Sequence, residues 1–482
     1  MAWESRTALR YLTGLRALPW AISTILLRLL RSPRLTLEAL FRKAGINLRN
    51  TSKLAKPGDF PDPIKRGPAH HSINPHPNSV LHLVTNCLPY TQAGYTIRTH
   101  NIIAAQLAAG ISASAVTRYG YPISIGNFKS GVKTELPIFS GDSTITYHHL
   151  IPTKFATTSE LEVAAAAATK LTAKLRPSVL HAATDFINGE IAAAVATATD
   201  LPFAYEVRGF LEQSWLTKST TNSADSPFYQ EFLRRETKIM QQAAAITTLS
   251  ETMKAEIVSR GIAAEKIHLV PNAVSDQLLS EVKSEVQARA QLKLPELPTF
   301  GIATTLYPFE NVNLLIESLE QLWQSGNQAQ LLIVGDGPDL DNLTARANSS
   351  SVAAHIHLVG RKPFDQTITH YQAMDVFCVP RTQSLVTQLV TPLKPIEAMA
   401  LGRPVIASNL PALAELINHE QTGLLVEPDS ATALTEALGR LLYDSGYRHN
   451  LATAAKDWVA ATRTWSQVAQ TYQQVYQQLG KH

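Results

Sequence analysis

The residues best suited to chemistry in this 482-residue chain lie in one run, Thr391-Pro-Leu-Lys-Pro-Ile-Glu-Ala-Met-Ala-Leu-Gly-Arg-Pro-Val-Ile-Ala-Ser408. A loop holding two prolines enters a helix, and Gly402 ends that helix before an apolar strand. The orphan amides at a helix start, with the macrodipole, favour a phosphate group. Lys394 adds a cation in the same loop. Glu397, in the first turn, can accept hydrogen bonds from a ribose diol through both carboxylate oxygens. The same glutamate would also complement the helix N-terminus with no ligand present.

Other charged residues follow apolar runs that read as strands. Glu206 and Arg208 come after Phe203-Ala-Tyr205, and charged residues at the carboxyl end of a parallel strand point into the ligand crevice. Arg208 then either grips a phosphate or carboxylate bidentately or pairs with Glu206 for structure. His181 ends another strand, with Asn188-Gly189 beyond it; a lone histidine there reads first as a structural hydrogen-bonder. Gly94 follows Val80–Val84, either as a turn glycine or as a place where backbone amides approach an anion unobstructed. Arg98 and Thr99 open the next helix, where Arg98 is a surface residue or a phosphate or acceptor contact. Arg381 stands just after Val376-Phe-Cys-Val-Pro380. No His, Cys, Asp and Glu cluster has metal-ligand spacing. No three-glycine dinucleotide fingerprint follows Val80–Val84, which sets a dehydrogenase aside.

These residues need a scaffold, and its rhythm is legible. From Val80 onward short apolar runs alternate with Ala-rich helices such as Glu160–Leu175 and Gly189–Thr199. That alternation predicts an α/β fold with a parallel sheet covered on both faces. The rhythm breaks between about Pro271 and Pro298 and restarts at Phe300-Gly-Ile-Ala303, so a second doubly wound domain follows the first. Expected bounds are 79–275 and 298–460, with a closing helix in 461–482 that presents Trp465, Val468, Tyr472, Val475 and Tyr476 on one stripe. Two sheets facing each other make a cleft at the carboxyl ends of their strands.

Composition agrees with this plan. The chain is too long for one core, and 45% hydrophobic against 17% charged residues describes a globular protein. Cys87 and Cys378 sit in apolar runs, which fits a reducing, cytoplasmic compartment better than a disulfide framework. Net charge is only +4, which gives no nucleic-acid label. Residues 1–50 nevertheless hold nine basic residues against two acidic ones, around an apolar helical spacing too short to span a bilayer. They read as an amphipathic helix lying on an anionic membrane face or as a helix packed on the body. Residues 51–78, rich in Pro, Lys, His and Asn, read as a linker.

The run Glu397-Ala-Met-Ala-Leu-Gly-Arg-Pro-Val-Ile-Ala resembles the donor-site signature of family 4 retaining glycosyltransferases, which adopt the GT-B fold. Ala93-Gly-Tyr95 with Arg98-Thr99, Tyr205-Glu-Val-Arg-Gly209, Thr248-Leu-Ser-Glu-Thr-Met253 through Val270-Pro-Asn272, Ile333-Val-Gly-Asp-Gly-Pro338 and His357-Leu-Val-Gly-Arg361 match in order. Six ordered motifs over residues 80–480 say far more than any one alone. The resemblance implies a nucleotide-diphosphate sugar as co-substrate with no further cofactor and no metal, bound by the second domain. It implies a glycan or lipid-linked acceptor on the first domain, and a last helix that crosses back. It implies donor contacts from Gly94, Tyr95, Gly360, Arg361, Thr391, Pro392, Leu393, Lys394 and Glu397. Arg208, Glu206, Lys394 and Arg381 are the expected catalytic residues, with Arg98, His181 and Asn188 as further candidates. Asp336 is expected to cap a helix.

Three positions depart from the family pattern. Leu389 stands where relatives carry a first glutamate, and Thr305 and Glu310 stand where they carry an arginine and a lysine that grip the diphosphate. Arg381 and Lys394 are the cations expected to neutralise the leaving diphosphate instead. A catalytically silent binding protein and a sugar-nucleotide epimerase of the same architecture are the competing readings.

Overall fold

The computed structural model describes residues 60–125, 127, 131–138, 143–151, 159–217, 221–280 and 283–480. The basic segment 1–50 and the first residues of the expected linker lie outside them.

Two sheets organise the described chain. The first holds β1 (Ser79–Val84), β2 (Ser112–Thr117), β3 (Lys133–Pro137), β4 (Thr144–His149), β5 (Val179–Ala183), β6 (Phe203–Val207), β7 (Ala245–Thr248) and β8 (Ile267–Leu269), in the order β3-β4-β2-β1-β5-β6-β7-β8. Every pairing is parallel except β3 with β4. The second holds β9 (Thr299–Thr305), β10 (Gln330–Asp336), β11 (Ile356–Leu358), β12 (Val376–Val379), β13 (Val405–Ser408) and β14 (Gly423–Val426), all parallel in the order β11-β10-β9-β12-β13-β14. Helices cover both faces, so central strands such as β1, β5, β12 and β13 are buried along their whole length and are mostly apolar, with His82 on β1 and His181 on β5 among the buried exceptions. β3 and β4 carry no apolar run because polar residues alternate with Leu136, Ile145 and Tyr147 along them, and β8 and β14 are short strands at sheet edges.

Helix starts follow local chemistry. Asp185 accepts from the Ile187 amide at 3.1 Å, so the helix expected from Gly189 begins earlier, as Phe186–Thr199. The break after Pro271 holds two short helices, Asp276–Ser280 and Glu285–Leu292, rather than one.

The chain leaves the first domain near Val274 and returns near Arg463, and the two crossings bond to each other. Val274 N donates to Arg463 O at 2.8 Å, and Trp465 N donates to Val274 O at 3.2 Å. The closing helix Trp465–Leu479 then buries Trp465, Val468, Tyr472, Val475, Tyr476 and Leu479 against Val80, Ile102 and Ile103 of the first domain.

The expected linker is a correction. Its described part, residues 60–78, contains no helix, yet it is fastened along the first domain. Phe60 stacks on Phe228 at 4.7 Å, and Arg235 Nη1 donates to Pro61 O at 2.9 Å. The amides of Lys65 and Arg66 reach Glu162, and His71 N reaches Ala198 O at 2.7 Å. Backbone groups that bond across the surface make this segment a strap.

Candidate functional site

The site is best built from the helix Lys394–Ala400. Loop 391–393 enters it without a side-chain cap. Pro392 and Pro395 carry no amide hydrogen, and the Ile396 and Glu397 amides bond back to Leu393 O at 3.1 and 3.3 Å. That leaves the Leu393 and Lys394 amides unbonded among the described residues, fewer than the sequence alone suggests. No described side chain hydrogen-bonds or ion-pairs with Lys394. Its charge acts on Glu397, which is buried and accepts from Tyr371 Oη at 2.9 Å through Oε2. Burial raises the Glu397 pKa above the usual carboxylate value, with Lys394 and the Tyr371 hydroxyl opposing it. Oε1 takes no hydrogen bond from described residues. Thr391 is buried as well, and its hydroxyl finds no partner among the described residues.

This loop meets the first domain directly. Asn272 Nδ2 donates to Thr391 O at 3.1 Å, and Thr252 Oγ1 donates to Leu389 O at 3.4 Å. A Cβ on Gly209 would sit 3.9 Å from Val390. Leu389 packs partly buried against the first domain's core. The loop that enters the helix Lys394–Ala400 therefore lies at the junction of the lobes.

Arg381 lies beside the same loop, donating from Nη1 to Val390 O at 3.2 Å. Its other donors grip Glu310 at 2.8 and 3.2 Å. Glu310 is thus the counterion of Arg381. Arg381 does not stand as an unneutralised cation, whereas Lys394 has no acidic partner among the described residues. Thr305 ends β9 exposed, and Tyr307 stacks on Phe309 at 5.3 Å just beyond it.

The loops after β10 and β11 frame the other side. A Cβ on Gly335 would lie 1.8 Å from Thr304 O, and one on Gly337 would lie 2.5 Å from Leu306 O. Only glycine lets the end of β10 pass so close to β9. Asp336 is exposed and does not cap; Asp339 occupies the cap position and accepts from Asn342 Nδ2 at 2.9 Å. Gly360, at φ 71°, turns the chain after β11 and gives its carbonyl to Gly335 N at 3.0 Å, while Arg361 is exposed.

In the first domain the expected catalytic pair is mostly internal. Glu206 is fully buried. Its Oε1 accepts from Arg98 Nε at 2.9 Å, its Oε2 from Arg208 Nη2 at 2.6 Å, and His181 Nε2 lies 3.5 Å away. Burial opposes its charge, but the Arg208 and Arg98 guanidiniums together hold its pKa well below the usual value. Glu206 is therefore the buried counterion of both arginines. Arg208 also donates to Tyr95 O at 2.9 Å and Thr99 Oγ1 at 2.7 Å, bracing the start of the helix Gly94–Ala108, and its side chain keeps 10% exposure. Gly94 and Tyr95 are exposed at that helix start, with open space where a Gly94 Cβ would stand.

The further candidates are structural. Arg98 is buried, with all its nitrogens used on Glu206, Val270 O, Pro271 O and Asn272 Oδ1. His181 bonds Tyr476 Oη at 2.5 Å, and burial lowers its pKa. Asn188 donates to Thr85 Oγ1 and Ala183 O. Sequence reasoning missed Tyr371, which no local pattern marks, and the special place of Asn272, whose Val-Pro-Asn run was its only signal. Among the described residues no group of three or more His, Cys, Asp or Glu side chains is placed to hold a metal ion. No helix among them is long and apolar enough to cross a membrane.

Comparison with known proteins fits this geometry. Residues 93–273 match the model described as glycosyl transferase 4-like domain, and residues 284–458 match glycosyl transferases group 1. A GDP-mannose-dependent alpha-(1-6)-phosphatidylinositol monomannoside mannosyltransferase of Mycobacterium tuberculosis is 29% identical over 246 residues, covering 50% of this chain and 63% of that protein. A 2-deoxystreptamine glucosyltransferase of Streptomyces kanamyceticus is 24% identical over 225 residues, covering 46% and 57%. The matches thus span under two thirds of these relatives' lengths. Among solved structures, sucrose-phosphate synthase from Thermosynechococcus elongatus superposes with a TM-score of 0.67 at 22% identity, covering 83% of this chain and 99% of that one. The Anabaena protein HepE in complex with UDP gives 0.64 at 15% identity, covering 84% and 100%. The fold is GT-B: two Rossmann-like domains facing across a cleft.

Proposed function

We propose that this chain, a glycosyl transferase 4-like domain followed by a group 1 domain, transfers a sugar from a nucleotide-diphosphate donor to a glycan or lipid-linked acceptor. The observation that carries the reading is the unpaired Lys394 three residues before the half-satisfied carboxylate of Glu397, in a loop at the junction of the lobes. A cation next to free amides suits a pyrophosphate, and a carboxylate with one open oxygen suits a ribose hydroxyl. Gly94 and Tyr95 would approach the phosphate from the opposite lobe, and Gly360 and Arg361 would border the base. Arg208 would face the reacting sugar or the acceptor. The departing diphosphate gathers charge as the glycosidic bond breaks, and Lys394 is positioned to stabilise it.

Retention of configuration belongs to the same reading. Glu206 and Glu310 are both tied to arginines, so neither serves as a free nucleophile, and Glu397 is the carboxylate given to the ribose. The departing diphosphate would then take the acceptor proton. The first relative's name gives it a phosphatidylinositol-linked acceptor, which supports a lipid-linked class here. The basic segment 1–50 would hold the enzyme on the cytoplasmic face of an anionic membrane. Equal flotation on anionic liposomes with and without that segment would end this part.

UDP-, GDP- and ADP-sugars are to be screened by thermal shift and for release of nucleoside diphosphate. Stabilisation by one donor together with diphosphate release is the expected outcome. The Arg381–Glu310 pair and Leu389 favour a second reading, a silent binder, and stabilisation without any release would select it.

A further inference from the structure

The loop after β8 is held unusually firmly. Arg98, on the helix Gly94–Ala108, donates to Val270 O at 2.7 Å, Pro271 O at 3.0 Å and Asn272 Oδ1 at 3.2 Å. Its Nε binds Glu206 at 2.9 Å, and Arg208 binds the other oxygen of the same carboxylate. Arg98, Glu206, Val270 and Asn272 are each more than nine-tenths buried. The amide of Asn272 is thereby oriented from behind: with Oδ1 accepting from Arg98, Nδ2 points the other way, into the second domain. There it meets Thr391 O at 3.1 Å.

That carbonyl begins the loop bearing the unpaired lysine. Bond by bond, a path runs from Arg208 through Glu206, Arg98 and Asn272 to Thr391. Asn272 also lies just before Val274, where the outgoing and returning chain crossings bond each other. A contact so near the crossing moves little when two lobes rotate, so it suits a fixed reference better than a gate.

We propose that Asn272 is a positioning residue, fastened by Arg98 and Glu206, whose amide holds the Thr391 carbonyl and so sets the place of Lys394 and Glu397 relative to Arg208. The inference rests on the reading of loop 391–397 as the donor site. Asn272 touches no substrate; it acts by where it puts the loop. Reaction rates are sensitive to such placement, because a misplacement of about 1 Å costs up to ~100-fold.

Asn272→Asp tests this in the full-length chain. The aspartate keeps an oxygen for Arg98 but replaces the donor to Thr391 with a second acceptor, so carbonyl and carboxylate oppose each other. Turnover is read as nucleoside diphosphate released from whichever of UDP-glucose, GDP-mannose and ADP-glucose the wild-type chain consumes. The expected result is a fall in kcat per folded molecule of about tenfold or more and a donor KM changed less than kcat, alongside a lowered melting temperature from the opposed carboxylate and carbonyl. Wild-type kcat in the variant overturns the proposal. A lowered melting temperature with unchanged kcat per folded molecule also overturns it, since Asn272 would then serve folding alone. A wild-type chain that consumes none of the three sugars overturns the donor-site reading itself, and the proposal with it.

Discussion

The two lobes treat their charged residues in opposite ways. On the first domain, Arg98, Arg208 and Glu206 are packed together with every charge answered within about 3 Å. On the second, Lys394 has no partner among the described residues, Glu397 has one oxygen held by Tyr371, and the buried Thr391 hydroxyl has none. Within the second lobe the contrast repeats, since Arg381, bonded to Val390 O beside the same loop, is matched to Glu310 while the lysine is unmatched among the described residues. Paired charges fix a backbone, because removing one strands the other away from water. Unpaired groups at a strand-to-helix loop keep their interaction free energy for a ligand. Residue type alone does not separate these roles; partnership does.

The comparison can be broken most strongly at Glu206. Glu206→Ala leaves two arginines facing each other in the core, and should destabilise the first domain by about 3–5 kcal/mol, read as a lower denaturant midpoint. An unshifted midpoint would mean that the cluster is not structural. The next largest effect is functional: Lys394→Ala should lower turnover ~100-fold while the melting temperature stays put. Loss of stability with intact turnover would reverse the assignment of the two lobes.

Glu397 sharpens the comparison through pH. Burial raises its pKa, and only the carboxylate form accepts from a ribose diol through both oxygens. Nucleotide affinity should therefore weaken as pH falls through that raised pKa, and recover above it. Glu397→Gln should bind about tenfold more weakly, on the scale of a hydrogen bond to a charged group, and should lose this pH dependence. A pH dependence persisting in the variant would assign it to another group. The smallest effect concerns a contact between the lobes. Glu415 accepts from the Glu251 and Thr252 amides at 2.8 and 2.7 Å, and from the Thr252 hydroxyl, at the start of the helix Glu251–Ser259. Glu415→Ala should cost about 1 kcal/mol, as lost helix caps do; no change would show that Ser250, which caps the same helix, suffices.

Much of the scaffold was legible because it rests on periodicity. Strands buried on both faces give mostly apolar runs, and the stripe from Trp465 to Tyr476 announced a helix seeking a core. The loop before Glu397 was legible as well, since proline placement, a lysine and a following helix are local features. Partnership was not. Arg381 and Glu310 stand 71 residues apart, and Arg98 and Glu206 stand 108 apart, so no spacing rule joins them. The strap at 60–78 looked like a linker because backbone bonds to distant carbonyls leave no mark on composition. Asp336 looked like a cap because it stands in a glycine-rich turn before a helix, whereas the cap position is Asp339 and the helix runs from Leu340.

The most direct test of the whole account is the structure of the chain with a nucleoside diphosphate bound. A pyrophosphate oxygen should stand about 3 Å from Lys394 Nζ, within hydrogen-bonding range, with a ribose hydroxyl on Glu397 and Arg381 still holding Glu310. A diphosphate seated on Arg381 with the Glu310 pair broken, or bound away from loop 391–393, would contradict it.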